Sequence, residues 1–460
     1  MKVGVEIGGT FTDLVCIDAS GVRLAKVPST QGEPDRGLFD ALAAAGIPVS
    51  GMADLAHGST VATNAVLERK GARLALLVTE GFRDVLQLRR QDRERLFDIF
   101  YRKPEPLVPR YDTLAVPERV LTDGSVARSL DLGAFGPVLD RFLAEGGHSA
   151  VAICLLNSFA NPAHERAVAE WLRLRHPGLP VTCSVDVTRE FREYERASTA
   201  TLAAYVQPVL DAYLRRIEAR LEQGGFTGRS SVMQSNGGRV PAAAIRRNAA
   251  AALLSGPAAG VTGAIRQAAL SGHRDIITLD IGGTSADVCL VQDGRPELTR
   301  ETRVGTLPVL MPMVDITTIG AGGGSLVWVD DGGLLRVGPR SAGAEPGPAC
   351  YGRGGQAPTL TDAHVVCGRL PADAKLAGTM PLDAAAAHTA FAPLAAELGM
   401  SVEALADSAV QIAVANIVSA IRLVSTQRGR DPRDYALVSF GGAGPLHAAA
   451  VAEALAIDTI

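Results

Sequence analysis

Four acidic residues sit in two copies of one pattern. Near its start the chain reads Val5-Glu6-Ile7-Gly8-Gly9-Thr10-Phe11-Thr12-Asp13, and much later Leu279-Asp280-Ile281-Gly282-Gly283-Thr284-Ser285-Ala286-Asp287. Both copies set an acid before Gly-Gly-Thr and an aspartate after it, in the same frame and without a gap. Glycines let backbone N–H groups come close to an anion, and hydroxyls add further donors. Carboxylates at the two ends suit a hydrated Mg2+, which offsets phosphate charge. Gly8, Gly9, Thr10, Phe11 and Thr12, with Gly282, Gly283, Thr284 and Ser285, are therefore the expected phosphate contacts. Glu6, Asp13, Asp280 and Asp287 are the expected metal ligands, and Asp13, Asp280 and Asp287 the expected catalytic acids. The pattern does not single out a general base among them.

The elements that must position these acids follow from local pattern. Each copy reads as a β-hairpin: Lys2–Ile7 enters a Gly-Gly turn and 14–18 leaves it, and Ile276–Ile281 and 288–292 repeat the arrangement. The copies are too far apart for a solenoid and fit two related domains facing each other. Neither a G-x-x-x-x-G-K-[ST] motif nor a G-x-G-x-x-G after the first strand is present, so the phosphate loop is of another kind. A third glycine cluster, Gly441-Gly442-Ala443-Gly444-Pro445-Leu446-His447, follows a strand-like run at 435–440 and opens an Ala-rich helix. Small residues at a strand–helix turn form a common ligand edge, so Gly441, Gly442 and Ala443 are expected to receive the flat base of a nucleotide. For His447, packing and a substrate contact stay open as alternatives.

The order hairpin, hairpin, Gly-Gly strand and helix resembles the actin, Hsp70 and sugar-kinase superfamily. Within it, several phrases resemble the hydantoinase/oxoprolinase A family: the first hairpin, His57-Gly-Ser-Thr-Val-Ala-Thr-Asn-Ala65, Gly81-Phe-Arg-Asp-Val85, Arg192-Glu-Tyr-Glu-Arg196, the second hairpin, Gly347-Pro-Ala-Cys-Tyr-Gly352, Pro358-Thr-Leu-Thr-Asp-Ala363 and the 441–447 cluster. They cover almost the whole chain. The resemblance implies an α/β, duplicated actin-like (ribonuclease H-like) ATPase fold whose two halves flank a nucleotide cleft, with ATP and Mg2+ as cofactors. It implies ATP-dependent ring opening of a small-molecule cyclic amide such as 5-oxoproline or a hydantoin, by phosphoryl activation of the amide oxygen. Alternatives within the same fold are the nucleotide-binding subunit of an acetone or acetophenone carboxylase, a small-molecule kinase, and a non-enzymatic ATP-gated binding module. The implied partner is a hydantoinase B-type subunit, in a homo- or hetero-oligomer. Glu6 stands where the superfamily usually shows aspartate, so metal coordination is expected to differ in detail. The expected division is an N-terminal domain at 1–190 and a second domain at 191–460, with the family's C-terminal domain absent from these residues.

His57-Gly58-Ser59-Thr60 reads as a turn into a helix over 61–70. Ser59 or Thr60 could cap that helix, or its open N–H groups could hold a substrate carbonyl or carboxylate. On the second reading His57, Ser59 and Thr60 are substrate contacts. A long helix is expected from Tyr194 to about Glu222, and a Gly-rich loop over 320–358 is expected to cover the nucleotide or substrate. Ser255-Gly256-Pro257-Ala-Ala-Gly260 is expected to open a helix through close packing.

Composition narrows the partners. The 460 residues carry a net charge of -4, which argues against nucleic acid. The densest basic run, Arg89-Arg90-Gln-Asp-Arg93-Glu-Arg95, is broken by acids and reads as a solvated helix face, with a ligand or interface role as the alternative. No uninterrupted apolar stretch reaches the roughly 18 to 20 residues of a membrane helix. The six cysteines form no CxxC pair and read as small core residues in a cytoplasmic protein.

Overall fold

The computed structural model describes residues 1–460 except Thr10, Gln31, Glu94, Ala377 and Thr379. Two mixed sheets share one design. In the first, Lys2–Ile7 pairs antiparallel with Phe11–Asp18, which pairs with Gly21–Pro28. On its other side Lys2–Ile7 runs parallel to Asp54–Ser59, which runs parallel to Arg229–Met233. In the second sheet, Ile276–Ile281 pairs antiparallel with Ala286–Gln292 and parallel with Ala436–Phe440. Beyond it Leu437 N donates to Thr459 O at 2.9 Å, where the first sheet carries its next parallel strand. The duplicated actin-like fold is thus present in both halves.

Alternation along the strands assigns the faces. Val3, Val5 and Ile7 are buried under Pro34–Ala44 and the long helix Glu193–Gln223. Ile277, Leu279 and Ile281 are buried under Val402–Val424 and Gly444–Leu455. The opposite faces, which carry Glu6 and Asp280, turn toward each other. Between them lies the helix Ser255–Leu270, whose Ala258, Val261 and Ala264 pack on the second sheet.

The division expected at residue 190 does not coincide with the sheets. The long helix returns the chain to the first sheet, which is completed by Arg229–Met233 and Arg239–Val240. The intervening residues build a separate four-stranded parallel sheet from Leu74–Thr79, Thr113–Val116, Ala150–Cys154 and Val181–Cys183. The fully buried strands Leu74–Thr79 and Ala150–Cys154 are its centre, as their unbroken apolar runs require.

The 320–358 region is also not a loose cover. It contains the hairpin of Ser325–Val329 and Leu335–Ser341, and its glycines bind backbone to backbone against the second Gly-Gly turn. The segment Val402–Arg428 is long and apolar enough to cross a membrane by length and composition, but its apolar side lies in the protein core, where Leu405, Ala409, Ala413, Ile417 and Ile421 are buried. All six cysteines are free, and five are buried.

Candidate active site

Both hairpins set their acids directly opposite each other, Glu6 against Asp13 and Asp280 against Asp287. The turns close alike: Gly8 N donates to Phe11 O at 3.0 Å, and Gly282 N to Ser285 O at 3.1 Å. The match extends to the parallel strand beside each hairpin. Thr60 N donates to Ile7 O at 3.1 Å, and Ala443 N donates to Ile281 O at 2.9 Å. Gly58–Thr60 in the first half therefore occupies the place of 440–443 in the second. Sequence alone gave no sign of this, because the two turns share no residue pattern beyond small side chains.

Glycine makes room for Glu6 on two sides, and for Asp280 and the neighbouring Phe440. A Cβ on Gly58 would collide with the Glu6 carboxylate, and one on Gly256 would lie 2.6 Å from Glu6 Oε1. Likewise a Cβ on Gly441 would collide with Asp280, and one on Gly260 would lie 2.7 Å from Phe440 Cε2 and 3.7 Å from Asp280 Oδ2. Gly256 and Gly260 are one helical turn apart on Ser255–Leu270. One helix thus passes both acids, and its close packing, expected from sequence, is packing against the site itself.

The charges are uncompensated at the centre and tied at the edges. Among the described residues neither Glu6 nor Asp280 has an ion-pair partner. Burial, then the nearby Asp13 and Asp280 charges, pushes the Glu6 carboxyl up to about 7. Burial, then Asp287 and Asp13, pushes Asp280 up to about 6. Asp13 is paired with Lys26 Nζ at 2.6 Å, and its side chain is 52% exposed. Asp287 accepts from Thr318 Oγ1 at 2.5 Å and from Ser285 Oγ at 3.3 Å; burial raises its pKa while these bonds lower it. Two mutually repelling, hard-oxygen acids facing one space fit a divalent cation with oxygen ligands. Among the described residues no three His, Cys, Asp or Glu side chains converge to hold an ion. Such an ion would keep waters, as the hydrated Mg2+ expected from the sequence does, with Glu6, Asp13, Asp280 and Asp287 around it.

Residues 2–175 match the hydantoinase/oxoprolinase N-terminal region, and residues 196–460 match the hydantoinase/oxoprolinase family. The chain belongs to the hydantoinase/oxoprolinase family. It is 38% identical to the caprolactamase subunit alpha of Pseudomonas jessenii, over 98% of this chain and 66% of that protein. It is 35% identical to 5-oxoprolinase 1 of Arabidopsis thaliana, over 100% of this chain and 40% of that protein. The crystal structure of the ATP-dependent caprolactamase from Pseudomonas jessenii superposes with a TM-score of 0.87 at 37% identity, covering 99% of this chain and 68% of that one. A nucleotide-free acetone carboxylase superposes at 0.84 with 28% identity, covering 100% and 67%. The chain thus spans about two thirds of the caprolactamase subunit and less of 5-oxoprolinase.

Within this family fold, the expected contacts fall into three groups. Gly8, Gly9, Phe11, Gly282, Gly283, Thr284, Ser285, Gly441, Gly442 and Ala443 lie at the turns that border the two acids. Thr10 lies outside the described residues. Thr12 is a correction: it is fully buried, its hydroxyl bonded to Ser29 Oγ at 3.0 Å, so it supports the turn from behind.

The substrate contacts are also corrected. His57 is on the face opposite Glu6, buried, with Nε2 2.5 Å from Tyr213 Oη on the long helix. Burial pushes its pKa down to about 4, so it stays neutral. Ser59 is buried as well, and its hydroxyl accepts from Val61 N at 3.1 Å; the N-cap of the helix is Thr60, which makes no side-chain cap bond. Thr60 is partly open, but its hydroxyl donates to Ile7 O at 3.2 Å and accepts from Asn64 Nδ2 at 3.2 Å. His447 packs: it is fully buried, with Nε2 3.1 Å from His364 Nε2. Asp362 forms a capping box with Thr359.

Proposed function

We propose that this chain binds ATP with Mg2+ between the two hairpins and activates a cyclic amide for ring opening. The observation that carries this reading is the pair of uncompensated acids, Glu6 and Asp280, set opposite each other at matching Gly-Gly turns. Backbone N–H groups of the turns at 8–9 and 282–285 would face the phosphates, and the 441–443 turn would face the base. A bound Mg2+ would neutralise phosphate charge, held near Glu6 and Asp280 through water. A ring amide is a poor electrophile. Transfer of the γ-phosphoryl group to its oxygen makes the amide carbon electrophilic. Water adds to that carbon, the C–N bond breaks as the ring nitrogen takes a proton, and hydrolysis of the resulting acyl phosphate releases the carboxylate and phosphate. Either leading acid, with its raised pKa, suits proton transfer near neutral pH.

The caprolactamase and 5-oxoprolinase relatives favour a lactam over other substrates. The likeness to acetone carboxylase supports a second reading, in which the same phosphoryl transfer activates a ketone for carboxylation. A B-type partner subunit and a cytoplasmic location belong to both readings. ATP hydrolysis by the purified chain, measured with 5-oxoproline, caprolactam, a hydantoin, or acetone with bicarbonate, separates them. Hydrolysis stimulated by a ring amide supports the first reading, and stimulation by the ketone alone supports the second. ATP-dependent thermal stabilisation without stimulated turnover assigns nucleotide binding here and the remaining chemistry to a partner. Failure of Mg-ATP to stabilise the folded chain removes both.

A further inference from the structure

The basic run at 89–95 is not a helix face. The helix Val85–Leu88 ends before it, and the next element among the described residues is the short turn of helix Arg110–Asp112. The run continues into an apolar segment, Leu96-Phe97-Asp98-Ile99-Phe100. Leu96 is 68% exposed, Phe97 94%, Ile99 87% and Phe100 84%. Nowhere else among the described residues do four large apolar side chains so exposed fall within five positions. A cluster of this kind on a folded chain marks a contact surface, unlike single apolar residues scattered over it.

The segment is held in place. Asp98 Oδ1 accepts from Phe100 N at 2.9 Å, Tyr101 N donates to Asp98 O at 3.1 Å, and Arg95 pairs with Asp98 at 3.7 Å. On its far side Lys103 Nζ donates to Leu88 O at 3.5 Å, and Arg69 donates to Glu105 O at 2.6 Å. A turn already ordered in the free chain loses little entropy when it docks. Its charge selects the occupant. Between Arg93 and Lys103 the sequence holds four basic residues and two acidic ones, on a chain whose net charge is -4. Arg95 is taken by Asp98, whereas Arg93, Arg102 and Lys103 form no ion pair among the described residues. Two copies of the chain meeting through this turn would bring like charges together. A bilayer would have to accept the Asp98 carboxylate from the middle of the apolar run, at a cost. Aromatic anchors mixed with arginine are the composition of a protein interface.

We propose that the turn at 95–103 docks into a different polypeptide, one that offers an apolar groove with an acidic rim. Phe97 and Phe100 are its anchors, with Leu96 and Ile99 beside them, and Arg93, Arg102 and Lys103 meet the rim. Burying the four apolar side chains removes on the order of 500 Å² of surface, more than half of the roughly 800 Å² that one side of a stable interface covers. That this polypeptide is the B-type subunit rests on the reading above; the exposure and charge of the turn do not.

The test co-expresses the full chain with a B-type subunit from the same source and measures their affinity by biolayer interferometry. It compares the parent with Phe97→Asp/Phe100→Asp and with Arg93→Glu/Arg102→Glu. All four positions are exposed, so both variants are expected to keep the parent's melting temperature and its stabilisation by Mg-ATP. Binding that weakens at least tenfold in each variant, and that weakens with added salt in the parent, supports the docking surface. The proposal is overturned if no complex forms or if both variants bind as tightly as the parent. It is equally overturned if the turn instead mediates self-association of the parent, or its binding to phosphatidylserine vesicles. A complex that depends on the turn, in a chain that Mg-ATP fails to stabilise, would end the nucleotide reading and leave this surface standing.

Discussion

The two hairpins carry nearly the same sequence and are supported in different ways. The second turn is clamped by backbone. Gly323 N donates to Gly282 O at 2.9 Å and Gly324 N to Gly283 O at 2.6 Å, and a Cβ on Gly322 would lie 2.5 Å from the Thr284 backbone. The first turn is held by a side chain, Ser29 Oγ donating to Gly8 O at 2.8 Å, and a Cβ on Gly9 would meet nothing within 4 Å. The outer acids differ in the same sense: Asp287 is half-buried and accepts two hydrogen bonds, while Asp13 reaches half-exposed to Lys26. Equal motifs need not mean equal rigidity. Among the described residues, the backbone clamp belongs to the second turn alone.

The comparison is broken most directly at the leading acids. Asp280→Asn and Glu6→Gln are each expected to lower ATP hydrolysis by about 10²- to 10³-fold, read from kcat at saturating Mg2+. Full activity in either variant would end the symmetric reading of the two halves. Next, Gly322→Ala is expected to cost roughly 2–4 kcal/mol in urea unfolding, because backbone cannot move aside, whereas Gly9→Ala costs under about 0.5 kcal/mol. Equal costs would mean that the two turns are held alike.

The third effect is one of pH, in protein without metal or nucleotide. Folding raises the Glu6 pKa from 4.5 to about 7 and the Asp280 pKa from 3.8 to about 6. The folded state therefore binds more protons than the unfolded state across that window. Stability is unaffected below both unfolded values, falls as pH rises through roughly 4 to 7, and bears the full penalty above that. Glu6→Gln is expected to be more stable than the parent at pH 8 by on the order of 1–2 kcal/mol, and equal to it at pH 4. A variant destabilised at pH 8 would contradict the raised pKa. The smallest effect is that of Lys26→Ala, which removes an exposed ion pair and is expected to cost under about 1 kcal/mol in the same unfolding assay.

The sequence made the hairpins, the base-side turn and the duplicated fold legible, because Gly-Gly turns and alternating strands are local signals. It did not reveal which side of a strand faces the site. His57 and Glu6 belong to neighbouring strands of one sheet, and only the register of Val5 with His57 puts them on opposite faces. Nor could it reveal that Gly256 makes room for Glu6 and Gly260 for Phe440 beside Asp280, or that Gly322–Gly324 clamp a turn distant in sequence. The order of the sheets was hidden for a related reason. A strand that returns after a long helix leaves no local mark of the sheet it rejoins.

That returning strand also sets the order in which the molecule can be assembled during synthesis. Asp54–Ser59 is made early but gains its outer neighbour only when Arg229–Met233 emerges, and the inserted sheet lies between them in the chain. The inserted sheet needs no later segment for its own strands and can close first. The first half must wait, with one edge unpaired and open to wrong partners, until the long helix has left the ribosome.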